Sequence, residues 1–167
     1  MTEMPKPVRW AGSSREDLRE FPEEVRRAVG IALRLALASW RSWRTLNMAD
    51  IRKIAVSDEP GIRITEGSAN VFEDLGLPDA EEEMAKAGCA MLIYDAIKER
   101  GLSQRQAAKI LGLDQANISR LMNGRLSGFS LDRLFRLLNA LDMDVEVTVR
   151  KKPDRQGHGV LLVRAVA

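Results

Sequence analysis

Apolar residues recur at helical spacing along most of the chain and switch to strict alternation only towards its C-terminus. In Leu102–Gly124, LSQRQAAKILGLDQANISRLMNG, Ala107, Ala108 and Leu111 share one helical face, and Ile118 and Leu121 share another. Ser103 and Gln106 have the spacing of a capping box, which predicts a helix start. Gly112 ends that helix, because a left-handed backbone costs least where there is no Cβ. Leu113 fills the corner, Asp114 supplies a second N-cap, and a second helix runs from Gln115 to about Met122. Asn123-Gly124 stops it. Two short helices that cross closely need small residues at the crossing, and Ala107 and Ala108 supply them.

The flanks carry the same kind of signal. Asp79–Arg100 reads as a strong helix, with a capping box from Asp79 and Glu82, an acidic first turn and a basic last turn. Ile93, Ala96 and Ile97 form its packing face. Ser130 caps a closing helix in which Leu131, Leu134, Leu137, Leu138 and Leu141 recur at helical spacing. From Asp144 the period becomes two, so Val145, Val147 and Val149 share one face of a strand. A lone strand must find a partner: the same strand of a second copy, or a hairpin back to Val160–Val163. Near the N-terminus, PVRW reads as a short strand. Ser13 with Glu16, or Ser14 with Asp17, caps a first helix. Pro22 opens a longer one, with Val25, Val29, Ala32, Ala36 and Trp40 on a common face. Ala49–Gly61, with mixed charge and a Pro-Gly turn, reads as a linker.

Composition narrows the class. A chain of 167 residues, 45% hydrophobic and 30% charged, suits one domain with an appendage. No apolar run is long enough to span a bilayer and no signal-peptide core opens the chain, so a cytoplasmic protein is expected. One cysteine, Cys89, excludes an internal disulfide, and with one histidine, His158, neither a zinc site nor any other cofactor is expected. Net charge is only +2, but its distribution is uneven. Ser57–Ala85 carries nine acids and one base, whereas Lys98–Arg125 carries six bases and two acids. The basic stretch suits phosphates, and the acidic stretch suits a basic protein partner.

The outer face of the second short helix has base-reading chemistry. Gln115 and Asn117 can make paired hydrogen bonds to adenine, Arg120 to guanine, and Ala116 can touch a thymine methyl. Gln104, Ser119 and Arg125 are placed to hold phosphates, with Ser127 beside them. Two ordinary surface helices facing water are the bland alternative. The combined cap, alanine pair, glycine turn, second cap and terminal Asn-Gly is more restrictive than amphipathicity alone.

Leu102–Gly124 resembles the Xre, or lambda-repressor-like, class of helix-turn-helix proteins. The wider stretch Ile62–Lys152 is similar to HigA-type antitoxins of bacterial toxin–antitoxin operons, through GSANVFEDLGLPDAEE, the helix-turn-helix, and RLSGFSLDRLFRLLNALDMDVEVTVR. KPVRWAGSSREDLREFPEEVRRAVGIALRLA resembles the opening of phage-derived, Gp49-like HigB toxins, which belong to a RelE-like ribonuclease superfamily. That match stops near Ala38, and the strands bearing the toxins' catalytic basic residues are missing, so no catalytic residue is carried over.

These resemblances imply a mainly α protein: a lambda-repressor-like helix-turn-helix bundle with a C-terminal β-strand or hairpin and a small N-terminal strand-helix-helix appendage. The expected division is a truncated toxin-like appendage over 1–47, a linker and acidic toxin-contact segment over 48–78, the DNA-binding domain over 79–142, and a strand or hairpin tail over 143–167. Met48 is a candidate internal start. The antitoxin resemblance makes Phe72 and Leu75 apolar anchors on a HigB-like toxin, with Glu73 and Asp74 facing its basic groups. In the competing reading, Phe72 and Leu77 strap the segment to its own domain. Dimerisation through Val145, Val147 and Val149 would set two reading helices about one DNA turn apart on a palindromic operator. The function expected is a non-enzymatic repressor that binds double-stranded operator DNA. The alternatives are an interaction module without an operator and a ribonuclease with a fused regulatory domain.

Overall fold

The computed structural model describes residues 8–39, 63–151, 159–161 and 163. Met48, the linker Ala49–Gly61, Trp40 and His158 lie outside the described residues. The chain divides into two compact units with the boundary between Ala80 and Glu81. Helices predominate in both.

In the first unit, β1 (Arg9–Ala11) leads through a Gly12 turn into α1 (Ser14–Arg19) and α2 (Glu23–Ser39), and β2 (Ile64–Glu66) leads to the single-turn α3 (Val71–Asp74). β1 and β2 pair antiparallel, with Trp10 opposite Thr65. The ladder is closed at both ends by Gly12 N donating to Arg63 O and Gly67 N donating to Val8 O, each at 2.8 Å. Asn70 caps α3 by accepting from Phe72 N at 3.1 Å.

This pairing corrects the expected division at residue 47. The toxin-like opening and the acidic segment 63–79 form one unit, because neither alone covers its apolar residues. The same unit holds the four expected toxin-contact residues. Phe72 and Leu75 are fully buried in this unit's core, Asp74 is buried with them, and only Glu73 is exposed. Leu77 is buried as well, and Phe72 packs against Gly30 of the same unit. The face of α2 differs too. Val25 and Ala32 are exposed and Val29 is half-buried, while Gly30 and Ile31 turn inward. Packing selects Gly30 because a Cβ there would sit 2.5 Å from the Phe72 ring. Ser13 occupies the N-cap of α1 as expected, but its hydroxyl donates to Asp17 at 2.9 Å and makes no cap bond to the backbone.

The second unit is built around α4 (Ala80–Glu99), followed by α5 (Gln104–Leu111), α6 (Gln115–Met122) and α7 (Leu131–Ala140). Ala85, Ala87, Gly88, Cys89 and Ala90 are all buried along α4, and their small size lets other segments approach closely. Glu83, buried among them, is paired with Lys86 Nζ at 3.2 Å. Ile93 and Ile97 are fully buried, as their spacing predicts. Gly101 closes α4 with φ +62°, and the Arg100 guanidinium then donates to Leu141 O and pairs with Asp142 at 3.1 Å. This ties the end of α4 to the end of α7. Leu134, Leu137, Leu138 and Leu141 are buried, while Arg136 is exposed beside Asp132.

The C-terminal strand has no ladder among the described residues. Residues 143–151 form no hydrogen-bonded strand, and Val147 and Val149 are 73% and 91% exposed. Among the described residues, Val160, Leu161 and Val163 form no ladder with 143–151 either. The tail runs along α4 instead: Leu161 N donates to Glu81 at 3.0 Å, and Val163 lies over Gly88, where a Cβ would meet its side chain at 3.0 Å.

Candidate nucleic-acid interface

The interface is assembled by caps. Ser103 accepts from Gln106 N while the Gln106 side chain accepts from Ser103 N at 2.9 Å, completing the predicted box. This satisfies donors that the first helical turn leaves open. Gly112 adopts φ +61° and turns the chain. Asp114 then caps α6 by accepting from Asn117 N at 2.6 Å. Ala107, Leu111, Ile118 and Leu121 are buried where α5 and α6 meet. Ala108 is half-buried. The opposite face of α6 is left to solvent.

Gln115, Ala116 and Arg120 are exposed on that face. Asn117 is half-buried and its amide donates to Asp114 Oδ2 at 2.9 Å, so it serves the cap as well as the surface. Gln104 and Arg125 are exposed, and Ser119 is half-buried beneath Asn123, which donates to Ser119 O at 2.7 Å. The structure therefore brings Gln115, Ala116 and Arg120 to one helix and Arg125 to the loop that follows it.

That loop is more ordered than its sequence suggests. Arg125 N donates to Arg120 O at 2.8 Å, and Arg120 Nη2 donates to Ser127 O at 2.6 Å. Leu126 and Phe129 are buried, anchoring both ends. Arg133 lies over the Phe129 ring at 4.7 Å and donates to Gly128 O at 3.4 Å. Gly128, at φ +86°, makes the turn possible. A guanidinium has five N–H donors, so Arg120 can brace the loop and still present donors outward. Sequence reading did not single out Phe129; an aromatic flanked by Gly and Ser in a loop is the signal that marks the anchor.

Among the described residues no cluster of His, Cys, Asp or Glu could hold a metal ion, and no helix is long and apolar enough to cross a membrane. Burial pushes the Cys89 thiol up to about 11.

Residues 71–150 match a family model described as a helix-turn-helix domain. A solved structure provisionally described as an XRE-family transcriptional regulator is 45% identical, with a TM-score of 0.51, over 53% of this chain and 100% of the other. No curated protein shows a significant match. The capped helix pair, the glycine turn between its helices and this identity over the neighbour's full length agree: the chain belongs to the XRE family of helix-turn-helix transcriptional regulators.

Proposed function

We propose that the protein is a sequence-specific DNA-binding repressor of the antitoxin type, which binds an operator near its own gene as a homodimer and also binds a HigB/RelE-like toxin. The observation that carries the DNA reading is the outer face of α6, where exposed Gln115, Ala116 and Arg120 stand beside a loop braced by Arg120 itself. Gln115 and Arg120 offer side-chain pairing to base edges, and Ala116 leaves room for a thymine methyl. Gln104, Ser119 and Arg125 supply the phosphate contacts that set register. Asn117 contributes its amide while capped by Asp114.

The unladdered valines of 143–151 support the dimer. Val145 is half-buried, and Val147 and Val149 are exposed, with no ladder over 143–151 among the described residues. One short helix makes few base contacts; two joined by a dimer strand gain affinity by linkage. The antitoxin role rests on the resemblance of Gly67–Glu82 and of the N-terminal segment to the two halves of a toxin–antitoxin pair. Their packing within one unit is consistent with it.

The test is binding of the purified protein to DNA from upstream of its own gene, against scrambled DNA, across a salt series. A sequence-dependent complex at dimer stoichiometry, weakened by Arg120→Ala, carries the repressor reading. Equal binding to both DNAs overturns it in favour of an interaction module. Co-purification with a HigB-like toxin tests the antitoxin role separately.

A further inference from the structure

The contacts inside the first unit have the composition of a protein–protein interface. Two stretches, 8–39 and 63–79, meet by strand addition, the mode by which an extended segment adds to an open strand edge. Three arginines of the first stretch then grip the second. Arg19 Nε donates to Asp74 O at 2.7 Å, and Arg26 Nη1 donates to Leu75 O and Gly76 O, each at 2.8 Å. Arg27 pairs with Asp79 at 2.8 Å. Arg19 and Arg26 reach backbone carbonyls at and just beyond the end of the single-turn α3, acceptors that no further helical turn satisfies. Trp10 and Phe72 are the buried aromatic anchors, and Gly30 is the recess into which Phe72 fits. Buried aromatics surrounded by arginine contacts are the residue types that dominate binding energy at interfaces.

From this we infer that 63–79 is a polypeptide-docking site, filled in cis by the chain's own N-terminal strand-helix-helix segment, and that a separate polypeptide presenting the same strand and arginine-lined helix competes for it. This deepens the antitoxin reading, on which it rests only for the identity of the natural competitor. Phe72 and Leu75 then belong to the docking site, and their burial reports the cis occupant. Covalent linkage within one chain favours that occupant by raising its local concentration. A trans partner gains access only when it outbids the tethered segment or when that segment is absent, as in a chain begun at Met48.

The experiment co-expresses tagged residues 1–47 with untagged residues 48–167, so that both halves are present, and separately with the intact chain. The inference expects 48–167 to retain the tagged segment and the intact chain to retain at least tenfold less. Gly30→Leu in the tagged segment should reduce retention by 48–167 at least tenfold, because the added side chain enters the Phe72 ring's space. Failure of 48–167 to retain the wild-type segment overturns the docking site. Equal retention by the intact chain overturns cis occupancy. Equal retention of Gly30→Leu overturns the assigned contact. None of these arms contains DNA or a toxin. Loss of the repressor or antitoxin reading in its own assay therefore leaves this result independent.

Discussion

The indole Nε1 of Trp10 donates to Oδ2 of Asp74 at 3.1 Å, a buried hydrogen bond between residues 64 positions apart. The other carboxylate oxygen accepts from Ser68 N at 2.8 Å. Gly67 passes so close that a Cβ there would lie 2.0 Å from Asp74 Oδ2. Asp74→Ala would leave the buried indole N–H without this partner, so the first unit should lose about 1–3 kcal/mol. Chemical denaturation measures the loss, and hydrogen exchange at the Trp10 indole should accelerate with it. An unchanged midpoint would show that the bond contributes nothing to stability.

Ser103 and Asp114 each close a helix start of the helix-turn-helix. Replacing either by alanine removes a side-chain acceptor from an open backbone donor, at a cost of about 1 kcal/mol. Thermal unfolding of the two variants should show a lower midpoint for each. Their effects should be nearly additive, because the caps share no hydrogen-bond partner.

Arg120 and Arg125 should separate on DNA. Arg120→Ala should weaken specific operator binding by about 1–3 kcal/mol and relax base preference. Arg125→Ala should weaken specific and non-specific binding alike and reduce the salt slope by about one. Fluorescence anisotropy on operator and scrambled DNA at several salt concentrations reads both. An equal loss on both DNAs for Arg120→Ala would make it a phosphate contact.

Cys89 is fully buried, and burial raises its thiol from an ordinary 9.0 to about 11. Below pH 9 the thiol is protonated in folded and unfolded chains, so it adds no pH dependence. Between pH 9 and 11 the unfolded chain releases the proton while the folded chain keeps it, so stability falls as pH rises through that window. Thiol titration at pH 8 should label the native protein slowly and the denatured protein at once. Rapid native labelling would contradict the buried site.

Val147 and Val149 should govern the oligomeric state. Replacing both with lysine places charges on the proposed strand interface and should shift the protein to monomer in sedimentation. The operator affinity should fall at least tenfold, with no change in helix content. A dimer that survives the double substitution would move the interface elsewhere.

The helices of the second unit were legible in the sequence for a local reason, whereas the strand expected after them was not formed among the described residues. Capping boxes, a glycine at φ +61° and leucines at helical spacing act over a few residues. The helices over Gln104–Leu111 and Gln115–Met122 therefore lie where the caps place them. The exposed face followed, since the face that Ile118 and Leu121 bury leaves Gln115, Ala116 and Arg120 outside. The hydrogen bond from Arg120 to Ser127 did not follow, because it depends on how the loop folds back.

By itself, then, the sequence determined the secondary structure of the helix-turn-helix half, its exposed polar face and its family. Only the tertiary structure decided the fate of the other half. Trp10 with Asp74, Gly30 with Phe72, and Arg26 with Leu75 are contacts between distant stretches, and no periodicity encodes their pairing. An apolar stripe such as Val25 and Val29 states that a helix can bury a face, but not which one. On α2 that choice fell to Gly30, because only a residue without a side chain admits the ring of Phe72.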